Sequence, residues 1–284
     1  MIEVKDLQFS YNKNEFIKEI NFKVEKGMIF GFLGPSGAGK STLQKILTGL
    51  ITNYKGHAIV NGVECKHHTN AFYENIGVDF EFPTLYEKLT ARENLKFFAS
   101  LYTHQTRSID QLLESVGLQN DADKKISDYS KGMKSRLNFI KALINDPDIL
   151  FLDEPTSGLD PTNSRMMKDL ILSEKNKGKT IILTTHNMED ATELCDQVAF
   201  IINGQICAID SPQNLILSHG AKQVTYTYED NGFKTANCLL QQISDDERLH
   251  QLMQQNKILS IHSSEPTLND IFIEIGRASC RERV

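Results

Sequence analysis

Residues 34–42 decide the fold of this chain, and they read Gly34-Pro35-Ser36-Gly37-Ala38-Gly39-Lys40-Ser41-Thr42. Two glycines bracket four residues, and the second is followed by a lysine and a hydroxyl residue, which is the pattern of a phosphate-binding loop. Its backbone N–H groups point at a phosphate, Lys40 reaches the outer phosphates, and the Ser41 hydroxyl holds Mg²⁺. The apolar run 28–33 predicts a buried strand before the loop, and residues 42–50 predict a helix after it. The stretch predicts a nucleotide-binding α/β fold without naming a function.

The composition fits one large domain with a smaller one beside it. The chain has 284 residues, of which 40% are hydrophobic and 24% are charged. The formal net charge of −6 gives no reason to expect nucleic acid as a partner. No apolar run approaches the roughly 20 residues that cross a bilayer, and the start of the chain lacks the apolar stretch of a signal peptide.

The five cysteines show no paired metal spacing and favour a reducing cytosol. Cys65, His67 and His68 could suggest a metal site. They follow the turn Asn61-Gly62 in a polar segment, so we expect solvated side chains there instead.

The spacing of apolar residues predicts different secondary structure in successive parts of the chain. Residues 1 to about 80 predict strands joined by turns, with hairpin turns at Glu25-Lys26-Gly27 and Val60-Asn61-Gly62-Val63. Leu89 to about Leu143 predicts mostly helix. From Ile149 onward the pattern alternates, with strands at 149–152, 180–184 and 198–202 and helices at 163–175 and 188–195. This order predicts a parallel sheet flanked by helices, with a helical segment inserted into it.

The character changes after Pro212. Residues 224–228 predict a strand, 245–255 a short polar helix, and 258–261 another strand. We expect a small α+β appendage that serves dimer contact or regulation.

The last ten residues, 275–284, are what one reading frame of a common short-read sequencing adapter would encode. We interpret them as a non-native tail. Finding the same codons on resequencing the locus would refute this.

A second constellation is the apolar run Ile149–Leu152, which ends in Asp153 and Glu154. Asp153 is placed to act on Mg²⁺, and Glu154 is placed to polarise a water for attack on a terminal phosphate. Two adjacent acids after a buried strand are costly unless a cation or hydrogen bonds satisfy them.

About twenty residues upstream, Tyr129-Ser130-Lys131-Gly132-Met133 precedes a predicted helix. A Ser and a Gly at a helix start can bind an anion through hydroxyl and backbone N–H groups, although alone they would indicate only a helix cap.

Together these motifs resemble the ATP-binding subunit of ABC transporters over roughly residues 1–215. Residues 34–42 match Walker A, 129–133 (the signature segment) the signature motif, and 152–154 the end of Walker B. Ser157-Gly158-Leu159-Asp160 match the D-loop, and Thr184-Thr185-His186 the switch histidine. Tyr11 lies where the family places an aromatic side chain on adenine.

The resemblance implies a fold and a domain division. The fold is an α/β P-loop NTPase core with a parallel sheet, an N-terminal antiparallel β subdomain, a helical subdomain at about 82–142 and a small α+β appendage. It implies an ATPase domain over 1–215 and an accessory region over 216–274, followed by the non-native tail.

The family mechanism implies a homodimer or heterodimer that closes head to tail around two ATP molecules with Mg²⁺. Catalytic roles fall to Glu154, His186 and Lys40, and metal contacts to Ser41, Asp153 and Glu81. Nucleotide contacts fall to Tyr11, to each residue from Gly34 to Thr42, to Asp160, and in trans to Ser130 and Gly132. A transmembrane permease is the implied partner, which places the chain on the cytoplasmic side of the cell membrane.

Two departures from the family matter. Glu81 stands at the Q-loop position where glutamine is usual, so a charge replaces a neutral oxygen and could tighten Mg²⁺ or repel the γ-phosphate when the metal is absent. Lys131 and Met133 replace the commoner Gly and Gln of the signature. Lys131 could approach the partner's γ-phosphate or stay solvated.

The resemblance favours an exporter subunit whose unknown substrate, in one reading a drug or antibiotic, is selected by a separate permease. The Ser-Lys-Gly-Met signature and the C-terminal segment 265–272 look like those of drug and antibiotic exporters, and the Glu-Phe-Pro Q-loop resembles a fluoroquinolone-type group. The alternatives are a soluble ABC ATPase acting on ribosomes or DNA and a small-molecule kinase. The single phosphate loop argues against an ATPase acting on ribosomes, and the short span from Gly34 to Glu154 argues against one acting on DNA. The signature and the switch histidine argue against a kinase.

Overall fold

The computed structural model describes residues 1–12, 15–81, 84–220, 223–230, 232–264 and 266–281. The chain divides into two compact units, residues 1–210 and 211–284. Phe82 and Pro83 of the predicted Q-loop, Glu265 and the last three residues of the predicted tail lie outside the described residues. The boundaries predicted at 215 and 274 stay predictions.

The strands are β1 (Ile2–Phe9), β2 (Ile17–Val24), β3 (Ile29–Leu33), β4 (Lys55–Val60), β5 (Val63–Glu64), β6 (Ile76–Asp79), β7 (Ile149–Asp153), β8 (Thr180–Thr185), β9 (Gln197–Ile202), β10 (Gln205–Asp210), β11 (Gln223–Glu229), β12 (Phe233–Leu239) and β13 (Ile258–Ser264). The helices are α1 (Lys40–Leu47), α2 (Asn70–Tyr73), α3 (Ala91–Ala99), α4 (Ile109–Ser115), α5 (Lys131–Lys141), α6 (Pro161–Asn176), α7 (Met188–Leu194), α8 (Pro212–His219), α9 (Glu247–Gln254) and α10 (Leu268–Arg281). Short 3-10 turns cover 65–67, 119–121, 126–128 and 240–245.

The first unit contains two sheets. One is antiparallel, in the order β2-β1-β4-β5, and the other has the order β10-β9-β3-β8-β7-β6. In the second sheet β9, β3, β8, β7 and β6 pair in parallel, whereas β10 runs antiparallel on the edge. The helices α3 to α5 are inserted between β6 and β7. The predicted α/β fold class is confirmed.

The parallel strands form because their sequences are apolar on both faces. Every residue of β3 and β7 is buried, as expected for strands covered on both sides of a sheet. A cluster of aromatic rings joins the two sheets, with the Phe22 ring centroid 5.5 Å from that of Phe30 and 5.3 Å from that of Phe32. Burying rings of this size dominates core energetics, so the two sheets share one core.

The helical insert has well-defined starts. Thr90 and Glu93 form a capping box at α3, in which Oγ1 of Thr90 accepts from the Glu93 N–H at 3.1 Å and Oε2 of Glu93 accepts from the Thr90 N–H at 2.8 Å. Ser130 caps α5 by accepting a hydrogen bond from the Met133 N–H at 3.2 Å. The signature segment therefore lies at a helix start, as its sequence predicts.

The second unit is a three-stranded antiparallel sheet in the order β12-β11-β13 with α9 packed on it. Its small core contains Tyr226, Tyr228, Leu249 and Leu252. The α+β character predicted after Pro212 agrees with this sheet, whose edge strand β12 the sequence pattern did not indicate.

Three sequence-based expectations were wrong in detail. Glu25-Lys26-Gly27 is no hairpin turn, because β2 and β3 lie in different sheets. The helix after the phosphate-binding loop begins at Lys40 and ends at Leu47, two and three residues earlier than predicted. The expectation of solvated side chains at Cys65, His67 and His68 holds for the exposed His67 only. Cys65 is fully buried with its thiol 3.3 Å from the Leu47 carbonyl oxygen, and both ring nitrogens of His68 have protein partners.

Among the described residues, no helix is both long and apolar enough to span a membrane.

Candidate nucleotide-binding site

The candidate site lies where parallel strands end. The strands β3, β7 and β8 run side by side, so their carboxyl ends meet at one edge of the sheet. The phosphate-binding loop follows β3, the two acids end β7, and His186 follows β8. Ligands of open α/β sheets bind at this edge.

A cavity of about 380 Å³ opens at that edge. Most of the predicted site residues line it, together with one residue that was not predicted: Phe16, Ser36, Gly37, Gly39, Lys40, Ser41, Thr42, Glu81, Asp153, Glu154 and His186. Sequence positions more than a hundred residues apart therefore meet around one space. Its volume suits a ligand of nucleotide size.

The loop's geometry suits a phosphate. Gly39 has φ +114, a left-handed conformation, and an added Cβ would lie 2.7 Å from Cδ1 of Ile17, so a side chain here is strained and crowded. The ammonium of Lys40 is buried and donates to the carbonyl oxygens of Gly34 at 2.7 Å and Pro35 at 3.2 Å. Burial lowers the pKa of Lys40, whereas the nearby carboxylates of Glu154, Asp153 and Glu81 oppose that shift. The lysine side chain therefore lies at a partly closed cavity, where its hydrogen-bond partners are backbone carbonyl oxygens.

The donor set at the cavity fits Mg²⁺. Ser41, Asp153 and Glu81 all line the space, and hydroxyl and carboxylate oxygens are the ligands that this cation prefers. Asp153 is buried, and Oγ1 of Thr184 donates to its Oδ1. A buried carboxylate with one hydrogen-bonded oxygen retains acceptor capacity for a metal or a metal-bound water.

Glu154 and His186 contact each other directly. Nδ1 of His186 lies 2.8 Å from Oε1 of Glu154, and Oγ1 of Thr185 donates to Oε2 at 3.3 Å. Glu154 has φ +52, which is unusual for a residue with a side chain and costs of order 1 kcal/mol. The backbone is held by the Glu154 N–H, which donates to the Thr184 carbonyl at 2.9 Å. Such strain recurs where a side chain must be aimed at a functional site.

Two aromatic residues near the loop, Tyr11 and Phe16, are placed differently relative to the cavity. Tyr11 is 56% exposed, and its hydroxyl lies 2.9 Å from Oγ1 of Thr42. Its ring packs edge-on against Phe9 and Phe16, with centroids 4.7 and 5.4 Å away. Phe16 lines the cavity, whereas Tyr11 is absent from its lining among the residues described. Phe16 is therefore a second candidate for a base contact that sequence reasoning missed.

The signature segment lies apart from this cavity. Ser130 and Gly132 are not among the described residues that line it. Gly132 lies beside the D-loop and the start of α6 instead: a Cβ added to it would be 3.8 Å from Cδ2 of Leu159 and 3.8 Å from Nδ2 of Asn163. Asp160 caps α6 by accepting from the N–H groups of Thr162 and Asn163, both at 3.1 Å. Within one chain the structure does not bring these residues to the nucleotide cavity.

A buried acid behind the site was also missed. Asp79 ends β6, is 5% exposed, and accepts a hydrogen bond from the side-chain amide of Asn138 in α5. Burial raises the pKa of this carboxyl to about 7, although Lys141 and Asn138 oppose the shift. This contact joins β6, the strand before Glu81, to α5, the helix that begins in the signature segment. An acid inside the apolar run 76–80 was the sequence signal that could have marked it.

The chain is similar to known proteins along most of its length. Residues 17–157 match the family model described as ABC transporter. The chain is similar to a fluoroquinolones export ATP-binding protein of Mycobacterium tuberculosis, with 47% identity over 97% of this chain and 93% of the relative. It is also similar to a Nod factor export ATP-binding protein I of Rhizobium etli, with 32% identity over 96% of this chain and 92% of the relative.

Among solved structures, the chain resembles an ATP-binding subunit of an ABC transporter with a TM-score of 0.70 and 28% identity. That match covers 77% of this chain and 92% of the solved one.

Proposed function

The chain belongs to the ABC transporter family as an ATP-binding subunit, and from this premise we propose that it hydrolyses ATP to power export through a separate membrane permease. The observation that carries the proposal is the contact of His186 with Glu154 at the wall of the cavity that the phosphate-binding loop and Asp153 also line. The shared cavity of Glu154, Lys40 and Asp153 supports the roles that we assign to them, which are base, cation and metal ligand.

Binding begins at the loop. Backbone N–H groups of residues 36–41 and the N-terminus of α1 favour the β- and γ-phosphates. Lys40 exchanges the carbonyl oxygens of Gly34 and Pro35 for phosphate oxygens, so its ammonium keeps hydrogen-bond acceptors when the nucleotide is bound. Ser41, Asp153 and Glu81 would hold Mg²⁺, which when bound neutralises negative charge on the phosphates.

Hydrolysis then depends on Glu154. Its carboxylate accepts a proton from the water whose oxygen bonds to the γ-phosphorus. The bond between that phosphorus and the β,γ-bridging oxygen breaks and ADP leaves, while Lys40 stabilises the charge that develops on the γ-phosphate. His186 keeps the carboxylate oriented through its Nδ1 contact, and because His186 also lines the cavity, we expect its other ring nitrogen to be available to the γ-phosphate.

The position of the signature segment supports a two-chain arrangement. Gly132 lies beside the D-loop, and neither Ser130 nor Gly132 is among the described residues that line their own chain's cavity, which favours a nucleotide contact across a second subunit. We infer that two subunits, either identical or different, close head to tail, with Ser130 and Gly132 on the partner's γ-phosphate.

Export is supported by the relatives' names and by the signature, Q-loop and C-terminal resemblances. The permease would select the substrate, for which a drug or antibiotic is the leading class, and would hold the subunit at the cytoplasmic face of the membrane.

The test is Glu154→Gln, which removes the proposed base while keeping shape. We expect phosphate release to fall about 10²–10⁴-fold and ATP to drive the variant into a dimer on size-exclusion chromatography. Glu114→Gln, the same change at an exposed position of α4, is the matched control. A Glu154→Gln variant that hydrolyses ATP at the wild-type rate would contradict the assignment. ATP binding without a dimer would indicate a different partner chain.

A further inference from the structure

The side-chain amide of Asn138 holds the chain that leads into Glu81. Asn138 lies in α5 and is 2% exposed. Its Nδ2 donates to Oδ1 of Asp79 and, at 3.2 Å, to the carbonyl oxygen of Phe80. Glu81 comes directly after Phe80 and lines the nucleotide cavity. One buried amide therefore uses both of its N–H donors on the two residues before Glu81.

The same helix also contacts the chain after Glu81. Lys141 follows Asn138 by three residues, so their side chains lie on one side of α5. Nζ of Lys141 donates to Oγ1 of Thr84 at 2.8 Å and lies 5.0 Å from the centroid of the Phe98 ring. The helix that begins in the signature segment thus has hydrogen bonds to the chain on both sides of Glu81.

Stability alone is a poor explanation for the buried amide. Oδ1 of Asn138 is buried without a hydrogen-bond partner in the described part of the chain, and an unpaired buried polar atom is costly. Alanine is the better residue inside a helix such as α5, and valine is the better residue in a strand such as β6. Valine in place of Asp79 and alanine in place of Asn138 would fill about the same volume with no polar side chain. The site beside the pair explains it better.

We propose that Asn138 is a positioning residue that sets the place of Glu81 at the nucleotide cavity, and through it the affinity for Mg²⁺. The inference rests on the proposed function, in which Glu81 is a metal contact. Asn138 acts through the backbone, because its two hydrogen bonds fix the end of β6 and the carbonyl group before Glu81. Residues that orient a metal ligand control metal affinity without touching the metal. In the rival role, Asn138 only stabilises the packing of β6 on α5.

The first experiment separates position from stability. It measures the binding of a fluorescent, non-hydrolysable ATP analogue during a Mg²⁺ titration, and Tm without nucleotide. Asn138→Ala should raise the Mg²⁺ concentration for half-maximal binding about 3-fold, less than for a residue that bonds the ligand itself. It should also lower Tm by about 2–8 °C, because the acceptors of Asp79 and Phe80 lose their donor.

The double variant Asp79→Val/Asn138→Ala decides between the two roles, and it does so even if Asn138→Ala alone does not fold. Its Tm should return to within about 2 °C of wild type, because both buried polar side chains are gone. Its Mg²⁺ dependence should still be shifted about 3-fold. Wild-type Mg²⁺ dependence in the double variant would overturn the positioning role.

Two further variants are controls. Asn145→Ala makes the same change at a buried asparagine whose Nδ2 donates to the Ile76 carbonyl at 3.0 Å, at the other end of β6. It should lower Tm and keep the wild-type Mg²⁺ dependence; a shift equal to that of Asn138→Ala would overturn the proposal, because destabilisation alone would then cause it. Asp79→Asn keeps an oxygen for Asn138 and should change the Mg²⁺ dependence less than about 2-fold. A larger shift would assign the effect to the Asp79 charge and overturn the role of Asn138.

The last comparison tests whether Asn138 acts through Glu81. In a Glu81→Ala background, Asn138→Ala should add less than about 1.5-fold to the Mg²⁺ shift, because the side chain that it positions is gone. A full additional shift, or a Glu81→Ala variant with wild-type Mg²⁺ dependence, would overturn the inference. None of these binding measurements needs hydrolysis. The proposed function fails separately, through an inactive wild type or an active Glu154→Gln variant.

Discussion

Replacing Arg107 by Ala should destabilise the first unit, because it removes the guanidinium that satisfies a buried acid. Glu174 near the end of α6 is 4% exposed. Nη1 and Nη2 of Arg107 donate to its two carboxylate oxygens at 3.0 and 2.8 Å, and Nε donates to Oδ1 of Asp146 at 2.9 Å. Arg107 thereby joins the helical insert to the core.

The magnitude follows from what remains after the change. Removing one partner of a buried ion pair costs about 3–5 kcal/mol. Lys177 still donates to Oε1 of Glu174 at 2.7 Å, and the Arg107 side chain is 21% exposed, so water reaches part of the site. We therefore expect a loss of about 2–3 kcal/mol in the free energy of unfolding.

Urea denaturation of four proteins measures this: wild type, Arg107→Ala, Glu174→Gln and the double variant. The double variant should recover part of the loss of Arg107→Ala, because it no longer buries an unpaired charge. A loss below about 0.5 kcal/mol, or no recovery in the double variant, would refute the reasoning.

The same pair predicts a pH dependence. Burial alone would raise the pKa of the Glu174 carboxyl, but hydrogen bonds from Arg107 and Lys177 hold it below the ordinary value of 4.5. A carboxyl whose pKa is lower in the folded state than in the unfolded state stabilises the fold at pH values above its unfolded pKa. That stabilisation is lost as the pH falls through the folded pKa. The stability difference between wild type and Arg107→Ala should therefore be full near neutral pH and shrink below about pH 4.5. A difference that stays constant with pH would count against this.

Three further predictions concern single side chains. Glu81→Gln should raise the Mg²⁺ concentration for half-maximal ATP turnover about 3- to 10-fold, since a charged oxygen becomes neutral; superimposable Mg²⁺ titrations would refute this. Phe16→Ala should weaken nucleotide binding about 3- to 10-fold, and more than Tyr11→Ala does, because Phe16 lines the cavity. Titration with a fluorescent nucleotide measures both variants, and a larger loss in Tyr11→Ala would contradict a base contact by Phe16. Burial raises the pKa of the Cys65 thiol to about 12, so iodoacetamide should label exposed Cys207 well before Cys65 in native protein, and equal labelling by peptide mass spectrometry would contradict the burial.

Much of the core followed from local patterns. The strand at Ile29–Leu33 and the one at Ile149–Asp153 are continuous apolar runs, as parallel buried strands must be. The glycines, lysine and hydroxyl residue of the loop are specific because each answers a requirement of phosphate binding. Ser130 was a recognisable helix start because its side chain caps a backbone N–H group. The cap of α6 by Asp160 was not predicted.

Other features had no local signal. The edge strand Phe233–Leu239 is mostly exposed, with Phe233 at 82%, so it lacks the apolar alternation that marks a half-buried strand. The turn at Glu25-Lys26-Gly27 has hairpin chemistry, but turn residues do not encode which sheet the next strand joins. The polar neighbours of Cys65 predicted solvent contact, whereas packing beneath α1 buried it.

Residue types and their spacing were enough to predict the candidate chemistry of this protein: a phosphate-binding loop, an acid after a buried strand and a histidine after the next. These depend on residue type and spacing within a few turns of chain. How these segments meet depends on tertiary packing, because the order β3-β8-β7 brings three strand ends to one edge, whereas Gly132 of the signature segment lies beside the D-loop. Tertiary packing also places Phe16 at the cavity, since contacts between distant segments leave no pattern along the chain.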